Sequence, residues 1–392
     1  MNKRILTISP AATATNNGWT SLRWTLDGYE DQGFTLFHAA PDQYARFLAP
    51  AEQGDHAVVT MLMWAMQHNA NIRVEGCVSP TLLDGLETFQ QVWHRWRPKL
   101  YNTIDIKAER EAEAAPLLGQ RPGIFAFSGG VDASFTFFRH LTGAAGRHNC
   151  TPGAALLVHG MDIPLEREDF FADAATRGER MLAGTRAPLI RLKTNARAVN
   201  QDWEDSHGLQ LAGCFLALQP GFSKGMKGAD EPYEGLVLPW GSNPLTDPLC
   251  STATMTLVHD GCDFERSEKV AWLARNTSVV DHLRVCWAGA NLGENCGECE
   301  KCIRTMLNFW AVGEEIPAAF PTRLTPERVK SIKVANTIQR SYLNSILRDA
   351  QINRTADDPI LLALRKHLQR LDLQYKVKRA ASVLRLRQSR RP

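Results

Sequence analysis

Four cysteines fall within seventeen positions, in Cys286-WAGANLGEN-Cys296-GE-Cys299-EK-Cys302, and no other feature limits the fold as tightly. Two successive CxxC steps with a fourth cysteine at loop distance bring four thiolates to one point. Four soft thiolates close a tetrahedral site and leave no open position, so Cys286, Cys296, Cys299 and Cys302 are expected to hold a structural Zn²⁺. A disulfide arrangement is the weaker alternative, because cysteines three apart bridge poorly and the total of nine is odd. Cys77, Cys150, Cys214, Cys250 and Cys262 read as small buried hydrophobes.

At 392 residues the chain is long enough for two or three domains. A net charge of +3 is too small to argue for a nucleic-acid partner by itself. The run ILTIS before Pro10 is too short for the apolar segment of a secretion signal, and no stretch approaches the roughly 18 apolar residues of a spanning helix. The expectation is a cytoplasmic protein with no membrane partner.

The middle of the chain alternates two periods. GIFAF (123–127), AALLVHG (154–160), PLIRLKT (188–194), GLVLPW (235–240) and HLRVCW (282–287) read as strands. Helical patterns fall between them, near 134–141, 169–182, 207–218 and 264–275, and a last one at 299–312. Such alternation implies an α/β fold, a doubly wound and mostly parallel sheet with helices on both faces. Ligands then sit beyond the carboxyl ends of the strands. Residues 1–118 read as a small N-terminal α+β domain, with RILTIS and FTLFHA as strands, helices near 55–67 and 82–96, and a linker over 106–123. Residues 119–315 form the α/β domain, and 316–392 a helical C-terminal extension. The last seventeen residues, KVKRAASVLRLRQSRRP, carry seven Lys and Arg. They read as a solvated basic terminus or as a docking arm for an acidic partner.

Ser128-Gly129-Gly130-Val131-Asp132-Ala133-Ser134 follows the first of these strands and opens a helix. Two glycines let the backbone approach an anion, and the free N–H groups of a first helical turn point at it. Asp132 is suited to holding a metal ion or fixing the loop.

SGGVDAS resembles the pyrophosphate loop (PP-loop) of the ATP pyrophosphatase superfamily, whose HUP-like members bind ATP on a doubly wound sheet and cleave it between the α- and β-phosphates. A cysteine, nine residues and CGxCxxC resemble the zinc segment of 7-cyano-7-deazaguanine synthases within that superfamily. The likeness covers about residues 120–315. It implies that Ser128, Gly129, Gly130, Val131, Asp132 and Ser134 hold phosphate, with Mg²⁺ bridging phosphates beside Asp132 or Asp247. Where the superfamily usually has Ser or Thr after the aspartate, this chain has Ala133.

Other candidates follow the strands. His159 or Asp162 would face the nucleotide, and Thr194, Asn195, Arg197 and His207 fall on the same side. Trp240, Ser242, Asn243 and Asp247 form the densest polar cluster and are expected to bind substrate or metal, Asp247 foremost. Lys269 is the expected transition-state cation if its helix points inward, a solvated helix face being the alternative for it and Arg266. Arg304 would be held rigidly by the zinc site. The glycine-rich segment 221–235 reads as a mobile lid.

The resulting expectation is an enzyme that uses ATP and Mg²⁺ to adenylate a carboxylate or amide oxygen of a small metabolite for amide- or nitrile-type bond formation. It would release pyrophosphate and AMP, with homo-oligomerisation left open. Alternatives are a tRNA-modifying PP-loop enzyme, an adenylation-driven epimerase of a muramoyl-peptide-like substrate, and a non-catalytic nucleotide-binding module.

Overall fold

The computed structural model describes residues 4–29, 33–199, 202–286 and 288–388, with side chains to position 373 apart from 337. Ten strands make one sheet: β1 (Arg4–Asn16), β2 (Trp19–Asp27), β3 (Thr35–Pro41), β4 (Ala70–Val78), β5 (Ile106–Glu111), β6 (Gly123–Ala126), β7 (Pro152–His159), β8 (Leu189–Thr194), β9 (Lys224–Gly228) and β10 (Thr256–Asp260). The order is β10-β9-β6-β7-β8-β3-β2-β1-β4-β5. Pairing is parallel from β10 to β8 and again over β1-β4-β5, and antiparallel over β8-β3-β2-β1. The fold is α/β with a mostly parallel sheet, as the alternation implies.

Among the described residues, twelve α-helices accompany it: α1 (Asp55–Gln67), α2 (Pro80–Trp96), α3 (Val131–Leu141), α4 (Glu168–Met181), α5 (Ala196–Val199), α6 (Trp203–Leu216), α7 (Arg266–Ala274), α8 (Thr277–Val280), α9 (Glu300–Ala311), α10 (Pro326–Ser331), α11 (Thr337–Asn353) and α12 (Pro359–Gln388). One core gathers α1, α2 and α6, where Trp24, Leu62, Phe89 and Trp93 meet Ile124, Leu156 and Phe215 from the other half of the chain. A second joins α3, α7 and α9 to the C-terminal helices through Phe125, Phe135, Met306, Leu343 and Leu364. The first 118 residues thus extend the same sheet, with His38 of β3 opposite Thr194 of β8. The seam is also polar. Buried Asp55 accepts from Ser79 and Gln53 of its own half and, at 2.7 Å, from Gln219 across it.

Several expected elements differ. GLVLPW is not a strand: Tyr233–Gly235 is a 3-10 turn, and the chain then loops through a cis Leu238-Pro239 peptide. The strand is β9, inside the segment expected to be a lid. Its glycines hide it from any hydrophobic pattern, yet the packing requires them, since a Cβ at Gly225 would lie 2.7 Å from Leu257 and 2.8 Å from Phe215. Residues 282–286 are also irregular: the N–H groups of His282 and Leu283 go to the carbonyls of Val279 and Val280, that of Arg284 to Gly129, and those of Val285 and Cys286 to the Asn295 side chain. The expected linker begins as edge strand β5.

β6 lies between β7 and β9. From it the chain winds out through β7 to β8, then returns to lay β9 and β10 on the other side. The carboxyl end of β6 is therefore a topological switch point, where open α/β sheets bind ligands. The loop Ser128–Ser134 leaves from that end. The helix α12 backbone runs to Gln388, but the side chains of the basic segment 376–392 lie outside the described residues. Among the described residues, no helix is long and apolar enough to cross a membrane.

Candidate functional site

Gly129 adopts φ +79°, a left-handed turn open to glycine, and Gly130 caps α3 without a side-chain hydrogen bond. The loop is pressed from the β9 side: a Cβ at Gly228 would sit 2.5 Å from the Asp132 carbonyl oxygen. Two connected cavities open in front of it. One, of about 230 Å³, runs from Ser128, Gly130 and Asp132 along Leu156, Leu157, Val158 and Met161 to His207 and Lys227. The other, of about 390 Å³, reaches from the same loop to Trp240, Arg304 and Tyr342. Asp162, Asp230, Arg266 and Lys301 line both, and Arg284 lines the second. A larger groove of about 670 Å³ crosses β4 and β5 at the far end of the sheet. Its walls alternate Arg73, Glu75, Lys107 and Glu109, a solvated strand face rather than a set of groups converging on one point.

Most charges at the double cavity are paired. Arg266 holds Asp132 in a short ion pair, with Lys269 Nζ behind at 3.6 Å. Lys227 meets Asp230 at 3.1 Å, and Arg284 meets Asp162 at 2.8 Å. Burial alone would raise the Asp162 carboxyl, but Arg284 holds it below its ordinary value. Burial likewise works against the charged Lys227, yet Asp230 and Asp247 keep its pKa raised. Burial lowers the His207 pKa, so the imidazole beside Trp203 and Trp240 is neutral near pH 7. Arg304 meets Glu300 at 2.6 Å and stacks 4.4 Å from the Tyr342 ring.

The sequence-predicted residues divide. Ser128, Gly130, Asp132 and Trp240 reach the cavities. Gly129 turns against Arg284, Val131 is core, and Ser134 is fully buried with Oγ unpartnered. His159 does not face the cavity. Its ring stacks on Phe171 at 4.2 Å and its Nε2 bonds the Pro164 carbonyl, because alternation along β7 sends that position toward α4. Asp162 takes its place. Lys269 is buried and donates to the Ala229 carbonyl at 2.7 Å, so it supports Asp132 from behind. Asp247, Ser242 and Asn243 organise their own loop. Both Asp247 oxygens are engaged, by Ser242, the Asn243 N–H and His259, and Asn243 binds Trp240, Leu245 and Thr246. Burial would raise the Asp247 carboxyl, but His259, Lys227 and Ser242 hold it low.

The four cysteines converge as their spacing predicts. All four Sγ atoms lie within 4.8 Å of one another, with Cys286–Cys299 at 3.8 Å and Cys296–Cys302 at 3.9 Å. Zinc–sulfur bonds of about 2.3 Å give a tetrahedral edge of about 3.8 Å, whereas a disulfide needs about 2.05 Å. The residues fit a metal such as zinc. N–H groups of Glu298 and Cys299 donate to Cys296 Sγ, and that of Cys302 to Cys299 Sγ, as thiolate ligands require. Cys299 is also the N-cap of α9.

Sequence reasoning missed Arg284, Asn295, Lys227, Asp230, Lys301 and Tyr342. Arg284 is the main link: its N–H bonds Gly129, its Nε bonds the Ser128 carbonyl and its Nη1 bonds Leu292 of the cysteine segment. Position 284, two before a candidate metal ligand and inside an apparent strand, carried no separate signal. Lys301 did carry one, since it lies between two ligands on a helix start. Compared with known proteins, the chain matches no family model, no curated protein and no solved structure.

Proposed function

We propose that this chain is an AMP- and pyrophosphate-forming enzyme that binds ATP at the Ser128–Ser134 loop and adenylates an oxygen of a small metabolite. The observation that carries the reading is the position of that loop: an uncapped helix start at the switch point of the sheet, facing a cavity edged by Lys227, Arg266, Arg284, Lys301 and Arg304. The apolar slot over Leu156–Val158 and Met161 suits a nucleoside, and the second lobe, walled by Trp240 and Tyr342, suits an acceptor. An acceptor oxygen would attack the α-phosphorus, the bond to the β-phosphate oxygen would break, and pyrophosphate would leave toward the cations. Ammonia or an amine would then attack the activated carbon, whose bond to the adenylated oxygen would break with AMP leaving. Catalysis is then positioning and charge stabilisation. Mg²⁺ would arrive with the nucleotide, and Asp230 and Asp162 are the carboxylates that edge both lobes.

Chromatography of products from ATP labelled at the α-phosphorus and, in parallel, at the γ-phosphorus tests this. AMP and pyrophosphate are expected in the presence of acceptor pools, and release of ADP and phosphate would remove the proposal. Asp132→Asn should lower AMP release by about 100-fold or more, because Arg266 and Lys269 lose the group that orders them at the loop. The asparagine is preferred to alanine, which would leave two buried cations facing an empty space.

An RNA substrate would use the basic segment 376–392 and show counterion release. Deleting those residues is expected to leave AMP release within about twofold. Salt-sensitive tRNA retention that disappears with the deletion, together with tRNA-stimulated AMP release, would favour the RNA reading.

A further inference from the structure

Four of the five cations at the cavity already face a carboxylate: Arg266 on Asp132, Lys227 on Asp230, Arg284 on Asp162 and Arg304 on Glu300. The Lys301 ammonium has no ion pair or hydrogen bond among the described residues, although Lys301 lines both lobes. Its acidic neighbour Glu300 is committed to Arg304. Arg266 is incompletely used as well. Its side chain is only 10% exposed and one nitrogen holds Asp132, yet Nε and Nη2 are buried without any partner. Buried guanidinium donors left unpaired are costly, so a site that keeps them is built for a ligand that supplies acceptors. Both residues edge the cavity into which the eleven-residue helix α3 opens its uncapped first turn.

Resting on the pyrophosphate-forming reading, we infer that Lys301 and Arg266 clamp the departing diphosphate oxyanion against the start of α3, and that the cysteine knot aims Lys301. The metal ligands Cys299 and Cys302 bracket Lys301 in the first turn of α9, and Cys299 caps that helix. A flexible lysine stem rooted between two coordinated cysteines has a fixed base and little freedom to retreat into solvent. Arg284 fixes the other side, joining the same segment to the carbonyls of Ser128 and Gly129. The knot therefore sets the distance between the phosphate loop and the cation that faces it. Neither residue follows from the phosphate-loop pattern, and the knot gains a role beyond holding the fold.

Titration calorimetry of the metal-loaded full chain with inorganic pyrophosphate, and separately with ATP, tests the clamp. Lys301→Met is expected to weaken pyrophosphate binding by about ten- to a hundredfold, the loss of one charge-assisted contact, and to reduce the salt dependence of binding. Lys301→Arg should restore most of the affinity. Lys330→Met, an exposed lysine on α10 away from the cavity, should match wild type. Zinc content and melting temperature of Lys301→Met should also match wild type, which separates a lost contact from a damaged knot. Unchanged pyrophosphate affinity in Lys301→Met overturns the clamp while AMP formation by the wild type still stands. A wild type that binds neither pyrophosphate nor ATP removes the functional reading and the clamp with it.

Discussion

Stripping the metal from the cysteine knot, or replacing Cys302 with Ser, is expected to unfold the wall of the cavity and not merely to slow turnover. Among the described residues, the stretch from Leu283 to Cys299 has no helix or strand of its own. What orders it is the convergence of four Sγ atoms and one buried amide, Asn295. That amide accepts from the N–H groups of Val285 and Cys286 and donates to the carbonyls of Leu283 and Ala319. Structural zinc sites contribute about 10–16 kcal/mol of apparent binding free energy at pH 7, comparable to the roughly 5–15 kcal/mol that separates folded from unfolded domains. Failure would spread, because Cys302 is fully buried against the core of α9 and Arg284 links the segment to the Ser128–Ser134 loop. Elemental analysis should give about one zinc per chain, and calorimetry with a strong chelator should lower the melting temperature by roughly 10–20 °C or precipitate the protein. Metal-free protein with an unchanged melting curve and near-UV dichroism would dismiss a structural metal here.

The cysteine cluster and the glycine turn at the end of β6 were readable in the sequence because each depends on local spacing. Four ligands within one segment, and a glycine turn joining a strand to a helix, are short-range geometry. Strands β6, β7 and β8 announced themselves through their own apolar residues. β9 did not, because KGMKG is buried by what its neighbours bring: Leu257 and Phe215 fill the space that a side chain at Gly225 would take. GLVLPW erred in the opposite sense, since its apolar run lines a loop beside the cavity. Side-chain direction was the least legible. His159 ends β7 and Asp162 lies three residues beyond it, and only the packing of His159 on Phe171 and the pairing of Asp162 with Arg284 decide which reaches the cavity. Arg266 looked like a charged helix face because its partner, Asp132, is 134 positions away.

Acid should loosen the seam between the two halves of the sheet well before carboxylates titrate. His38 on β3 and His56 on α1 are fully buried, with ring centroids 5.1 Å apart and planes at 90°. Among the described residues, neither nitrogen of either ring has a hydrogen-bond partner. Burial drives the His56 pKa down to about 3, and burial followed by the nearby His56 charge drives His38 well below its ordinary value. A folded pKa depressed below the unfolded value of about 6.5 means that the unfolded chain takes up protons the folded chain refuses. Stability is therefore complete above pH about 6.5 and falls as the pH drops toward 3. At pH 5 the loss from His56 alone is about 2 kcal/mol, with His38 adding to it. Asp55, whose carboxyl is raised mainly by burial, acts in the opposite direction, so the informative quantity is the difference between wild type and His56→Leu. Urea midpoints for the wild type should fall between pH 7.5 and 5, and the variant should show a clearly shallower fall. Hydrogen exchange at pH 5 should appear first where β3 meets β8, since Gly213 of α6 is packed so closely on Thr60 and His38 that the layers have no slack to admit a charge. An equal pH slope in the variant, or an imidazole resonance of His56 that titrates near pH 6.5 in the folded protein, would show that these rings are not the source of acid sensitivity.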